Sequence, residues 1–126
     1  MGTIATNQNQ VILYYHSETS LGKQAYGFLQ ATNKKILAID ISKTKVTGMQ
    51  WLEISENLNT ILSKLVNQEH PNFKANFDSG INLDKEDWIK VIQNYPETLR
   101  CPILIDGDKY YLIEIPSEIS KLLEKE

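Results

Sequence analysis

The feature that most restricts this chain is its opening, in which one capped helix separates two short apolar runs. Val11–Tyr15 (VILYY) is continuous, β-branched and aromatic, the composition of a strand covered on both faces of a sheet. Thr19 or Ser20 can cap a helix running to about Thr32, with Ala25, Phe28, Leu29 and Thr32 on one face. Asn33-Lys34 breaks it, and Ile36–Ile41 (ILAIDI) reads as a second strand. A strand, a helix and a strand in close succession make a right-handed crossover between two parallel neighbours.

The C-terminal half is written as sharply. Asp84 caps a helix from Lys85 to about Tyr95, and Asp87 at its third position completes a start like a capping box. Trp88, Ile89, Val91 and Ile92 supply its buried side, and Pro96 ends it. Pro102 leads into Ile103-Leu104-Ile105, Asp106-Gly107 gives a tight turn, and Tyr110–Ile115 returns as the second arm of a hairpin. A last helix follows Pro116, with Ser117 near its start and Ile119, Leu122 and Leu123 on one face. Between the halves, Thr47 can cap a helix carrying Met49, Leu52 and Leu58, and a second helical stretch holds Ile61, Leu62 and Leu65. His70–Asn82, with its Pro, Gly and Asp, reads as an irregular connection. Residues 1–10 read as a loose polar tail and 11–126 as one domain.

Composition narrows the functional classes. A formal charge of −3 leaves no basic excess for phosphates, so nucleic acid is not an expected partner. No apolar run approaches the roughly 20 residues that span a bilayer, and the first ten residues lack the charged and apolar regions of a secretory signal. The expected compartment is the cytoplasm. A single cysteine excludes an intrachain disulfide and a thiolate zinc cluster. His16 and His70 show no metal-ligand spacing, with or without Cys101, so no metal is expected. Trp51, Trp88 and the tyrosines are spread over separate elements without interleaved Lys or Arg, which suits packing better than base stacking. In the Tyr110-Tyr111 pair, one ring should be exposed.

This order of elements is that of the thioredoxin fold: an α/β domain, four strands in a mixed sheet, with flanking helices. Two stretches narrow it. Tyr15-His16-Ser17-Glu18-Thr19-Ser20 resembles the strand-end motif of the arsenate reductase family, the glutaredoxin-like group that also holds the Spx-type regulators. Tyr95-Pro96, Pro102-Ile103-Leu104-Ile105, the hairpin and Pro116-Ser117-Glu118 are similar to that family's proline-led strand and its helix start. The resemblance runs from residue 11 to about 124, with only helical character shared in the middle.

The resemblance implies a nucleophilic cysteine four residues after His16, where this chain has Ser20, and a partner position at Lys23. A serine keeps a helix cap but has no thiolate, cannot form a disulfide and needs a general base. It also implies arginines immediately before Pro102 and Pro116, where Cys101 and Ile115 stand. Arg100, the sole arginine, is displaced by one residue; in a strand it would point to the opposite face unless a bulge restored it. Pro102 is expected to be cis on the same ground. The resulting picture is a degenerate active site and a binding or regulatory module. Its groove would lie between the Ser17–Lys23 loop, with His16, Thr19 and Ser20, and Arg100, Cys101 and Pro102. It would hold a protein or peptide segment, or a small anionic thiol, on the Cys101 backbone in the manner of strand addition. The alternative is a redox enzyme, a monothiol oxidoreductase or transferase in which Cys101 is catalytic and glutathione is the co-substrate, with no other cofactor. Each residue also has a plainer role: Ser17, Thr19 and Ser20 as helix caps, His16 as a packed strand-end residue, Cys101 as a small buried side chain. A third reading has the groove filled by Tyr14, Tyr26 or Tyr110.

Overall fold

The computed structural model describes residues 10–78 and 81–123. Strand β1 (Gln10–Tyr15) is followed by helix α1 (Ser20–Gln30) and strand β2 (Lys35–Asp40). Helices α2 (Gly48–Asn57), α3 (Leu62–Leu65), α4 (Pro71–Asn76) and α5 (Lys85–Asn94) come next. A 3-10 turn (Pro96–Thr98), strands β3 (Ile103–Asp106) and β4 (Lys109–Leu112) and helix α6 (Glu118–Leu123) complete the order. The sheet runs β2-β1-β3-β4, with β1 parallel to β2 and antiparallel to β3, and β4 antiparallel to β3. This is the expected mixed α/β sheet.

The continuous apolar run of β1 is explained by its central place. Val11 and Leu13 pack with Ala25 and Leu29 of α1 and with Ile119 and Leu123 of α6. Ile12 and Tyr14 face the other way, into Trp51, Ile54, Phe73, Trp88 and Ile92 of α2, α4 and α5. One face is therefore aliphatic and thin, and the other aromatic and deep.

The caps follow the sequence where a polar side chain precedes an amphipathic stretch. Thr19, not Ser20, caps α1, its side chain accepting from Gly22 N. Thr47 forms a full capping box with Gln50. Asp84 accepts from Asp87 N.

Several expectations are corrected. Phe28 is 37% exposed, because it lies about 100° around α1 from Leu29 and falls at the edge of the Gly22-Ala25-Leu29 stripe. Met49 is 67% exposed, since the buried stripe of α2 is Trp51, Ile54 and Ser55. Ile61 precedes α3 and is exposed, leaving Leu62 and Leu65 to face inward. The segment taken as an irregular connection contains α4, begun by His70 as N-cap and Pro71 in the first turn and anchored by Phe73. Phe73 stacks on Trp88 at 5.9 Å with the rings 4° apart, a long-range contact that local composition did not signal. Neither Tyr110 nor Tyr111 is exposed; both are half-buried. Gln10 belongs to β1, whereas the rest of the expected tail and the charged residues 124–126 lie outside the described residues.

Candidate binding cavity

The end of β1 is turned into α1 by a tight set of local bonds. The Thr19 hydroxyl donates to the His16 carbonyl at 3.0 Å and accepts from Gly22 N at 3.0 Å. Glu18 N donates to His16 Nδ1 at 3.1 Å. A Cβ on Gly22 would lie 2.1 Å from the His16 carbonyl oxygen, so only glycine permits this approach of helix to strand end. Asp40 at the end of β2 ties the turn to the sheet by accepting from Ser17 N at 3.2 Å, and from the backbone and hydroxyl of Ser42. Burial alone would raise the Asp40 carboxyl; the hydrogen bonds from Ser17 and Ser42 overcome it and hold it at about 2.

The opposite wall comes from far along the chain. Asn67 N donates to Thr98 O at 2.6 Å and Arg100 N to Leu65 O at 2.8 Å, and Val66 bridges Leu99. His70 Nδ1 accepts from Asn72 N at 3.0 Å, and Asn72 Nδ2 donates to Glu97 at 2.8 Å. Together these segments line an open cavity of about 240 Å³. His16, Thr19, Ser20 and Leu21 line one side, Asn67 and His70 another, and Glu97, Leu99, Arg100, Cys101 and Pro102 the third.

Of the residues expected at the groove, His16, Thr19, Ser20, Arg100, Cys101 and Pro102 meet at this cavity. Ser17 and Lys23 do not line it: Ser17 is held toward Asp40, and Lys23 is exposed on α1. Ser20 Oγ accepts from Gln24 Nε2 at 2.9 Å. The Arg100 guanidinium donates to Lys64 O at 3.1 Å and to Glu114 at 2.9 Å, and so is already engaged at the edge of the cavity. Cys101 is buried. Burial pushes its thiol above the ordinary 9.0; the Arg100 charge pulls it down and Glu114 pushes it up again. Among the described residues there is no cis peptide bond, so Pro102 is trans, the isomer favoured by roughly 0.5–1 kcal/mol, and not cis as the resemblance implied.

The tyrosines do not fill the site. Tyr14 lies in the aromatic core, where burial and then the charge of Glu53 raise it to about 12. Tyr26 stacks on Tyr15, and Tyr110 donates to Glu53 at 3.2 Å. Sequence reasoning missed Leu21, Asn67, His70, Glu97 and Leu99. For His70 the available signal was the following Pro71, which marks a helix start; for the others no local pattern exists. The long sequence separation of His16 and His70 proved no guide, since both line the same cavity. Among the described residues no group of three or more His, Cys, Asp and Glu is arranged to hold a metal ion. A second cavity, of about 590 Å³, opens beside α2, α3 and the start of α5, with Leu52, Ile61, Leu62, Leu83 and Trp88 in its lining. No described helix is long and apolar enough to cross a membrane.

No protein-family model and no curated protein matches the sequence. Solved structures do match the fold. An arsenate reductase from Vibrio cholerae is 12% identical, with a TM-score of 0.77 over 91% of this chain and 98% of that one. A possible arsenate reductase from Streptococcus mutans is 18% identical, with a TM-score of 0.68 over 91% and 99%. An arsenate reductase-related protein from Brucella melitensis is 14% identical, with a TM-score of 0.66 over 95% and 99%. The chain therefore has the thioredoxin-like fold of these proteins, over nearly the whole length of each.

Proposed function

We propose that this chain is a binding or regulatory module on the arsenate reductase-like form of the thioredoxin fold, without that family's catalytic chemistry. One observation carries the reading. Among the described residues the Cys101 N–H and carbonyl make no hydrogen bond, although Arg100 N is paired with Leu65 O and Pro102 O with Ile113 N. Main-chain groups in folded proteins are almost always paired, so an open pair in a cavity wall is a place for an extended ligand to add its own backbone. The chemical groups point the same way. Ser20 stands where the resemblance puts the nucleophile, the only arginine is engaged by Glu114 and Lys64, and the only thiol is pushed toward its neutral form.

Two measurements test this. Alkylation of Cys101 by iodoacetamide as a function of pH should show a midpoint above the ordinary thiol value, and arsenate with glutathione should give no reduction above background. A thiolate midpoint well below about 8.5, with glutathione protecting the thiol, would replace the binding module by the monothiol enzyme.

A further inference from the structure

The two histidines of the chain are built into the cavity by the same device. His16 Nδ1 accepts from the N–H of Glu18 at 3.1 Å, and His70 Nδ1 accepts from the N–H of Asn72 at 3.0 Å. A backbone N–H can only donate, so each Nδ1 is the unprotonated nitrogen, and the proton of each neutral ring sits on Nε2. Both histidines line the cavity, and among the described residues their ring hydrogen bonds are those at Nδ1, none at Nε2. The cavity thus holds two imidazole donors, fixed as donors by the loops that carry them. A metal ion could bind either ring at Nε2 only after the ring proton had moved to Nδ1, which gives up the loop bond.

Charge decides which acceptor suits them. With both imidazoles neutral, the ionised side chains of the lining are Glu97 and Arg100, which sum to zero. Arg100 is paired with Glu114, which leaves the Glu97 carboxylate against any incoming anion. An oxyanion in that setting meets a carboxylate and no free cation, which is unfavourable. A neutral carbonyl needs no such compensation. We propose that the cavity takes an uncharged amide-bearing segment, a stretch of peptide main chain whose carbonyls accept from His16 Nε2–H and His70 Nε2–H, and that it discriminates against oxyanions. This rests on the binding-module reading and assigns its ligand chemistry.

The test separates the two. Long-range proton–nitrogen spectra of the 15N-labelled protein should show both rings protonated at Nε2 alone. A ring protonated at Nδ1 overturns the inference whatever binds. The protein is then titrated with a capped trialanine peptide and, separately, with inorganic phosphate at equal concentration. Movement of both Nε2 resonances by the peptide and not by phosphate is the expected result. Movement by phosphate overturns the inference and leaves a binding site standing; movement by neither probe overturns the inference and removes support for the binding module as well. His16→Asn and His70→Asn supply the control, because an asparagine oxygen can accept the same loop N–H while the Nε2 donor is lost. Each should weaken peptide binding about fivefold, the value of one hydrogen bond, at unchanged thermal stability. Unweakened binding by both variants overturns the inference.

Discussion

The two walls of the cavity are built by opposite means. The His16–Gly22 wall is mostly local: its internal bonds join residues two or three apart, Gly22 lets the helix sit against the strand end that precedes it, and one tie, Ser17 N to Asp40, reaches beyond the turn. The facing wall is assembled from residues 64–72, 97–102 and 114, through Asn67 to Thr98, Arg100 to Leu65, Asn72 to Glu97 and Arg100 to Glu114. A wall of the first kind forms wherever the turn forms. A wall of the second kind exists only once α4, α5 and the sheet have packed, since each bond closes a loop of 14 residues or more. Local bonds thus set the turn that holds His16, while distant packing sets the opposite wall and with it the width of the cavity.

The contrast can be broken on either side. Phe73→Ala should have the largest effect, about 3–5 kcal/mol, because the ring is buried against Trp88 and Phe77 and anchors α4. Urea unfolding would measure the loss, and amide shifts should spread over Asn67–Asn72 while Thr19–Gly22 stay in place. Equal disturbance of both walls would show that they are not separately built. Gly22→Ala should follow, at about 3 kcal/mol, because the new methyl meets the His16 backbone and the Thr19 hydroxyl that caps α1. Here the disturbance should begin at His16–Lys23.

Asp40 sharpens the comparison through pH. Its carboxyl titrates near 2 in the folded chain and at its ordinary 3.8 when unfolded, so the unfolded state binds the proton first. The stabilisation is complete above about 3.8 and falls away as the pH drops toward 2, by about 1 kcal/mol once solvent screening is allowed for. Asp40→Asn should flatten that acid limb in stability measurements against pH; an unchanged limb would mean the Ser17 and Ser42 bonds do not hold the turn. The smallest effect is expected at the long-range wall. Glu97→Gln, which keeps an acceptor for Asn72, should change stability by less than about 0.5 kcal/mol. It should also relax the exclusion of phosphate from the cavity, which titration of the histidine resonances would detect.

The course of the chain was largely legible in sequence because its signals are local. Val11–Tyr15 could be read as a two-sided strand, Asp84 and Thr47 as caps, and Asp106-Gly107 as a hairpin turn, each from neighbouring residues. The failures also have a common cause. Phe28, Met49 and Ile61 have suitable spacing, but their exposure depends on how wide a strip the neighbouring layer covers. Helix α4 was missed because its stability comes from Phe73 stacking on residues of α5 and on Phe77, not from its own short, polar sequence.

The sequence by itself determined the parallel β-α-β opening, the proline-led hairpin and the turn that carries His16, Thr19 and Ser20. It also determined that the chain carries one thiol and one arginine. Only tertiary packing decided that His70 and Glu97 join that turn, that Arg100 is engaged by Glu114, and that Cys101 is buried with its main chain open. The physical reason is range. Caps, turns and strand periodicity are set within a few residues, whereas a cavity wall and the charge state of the groups in it depend on what distant segments bring alongside.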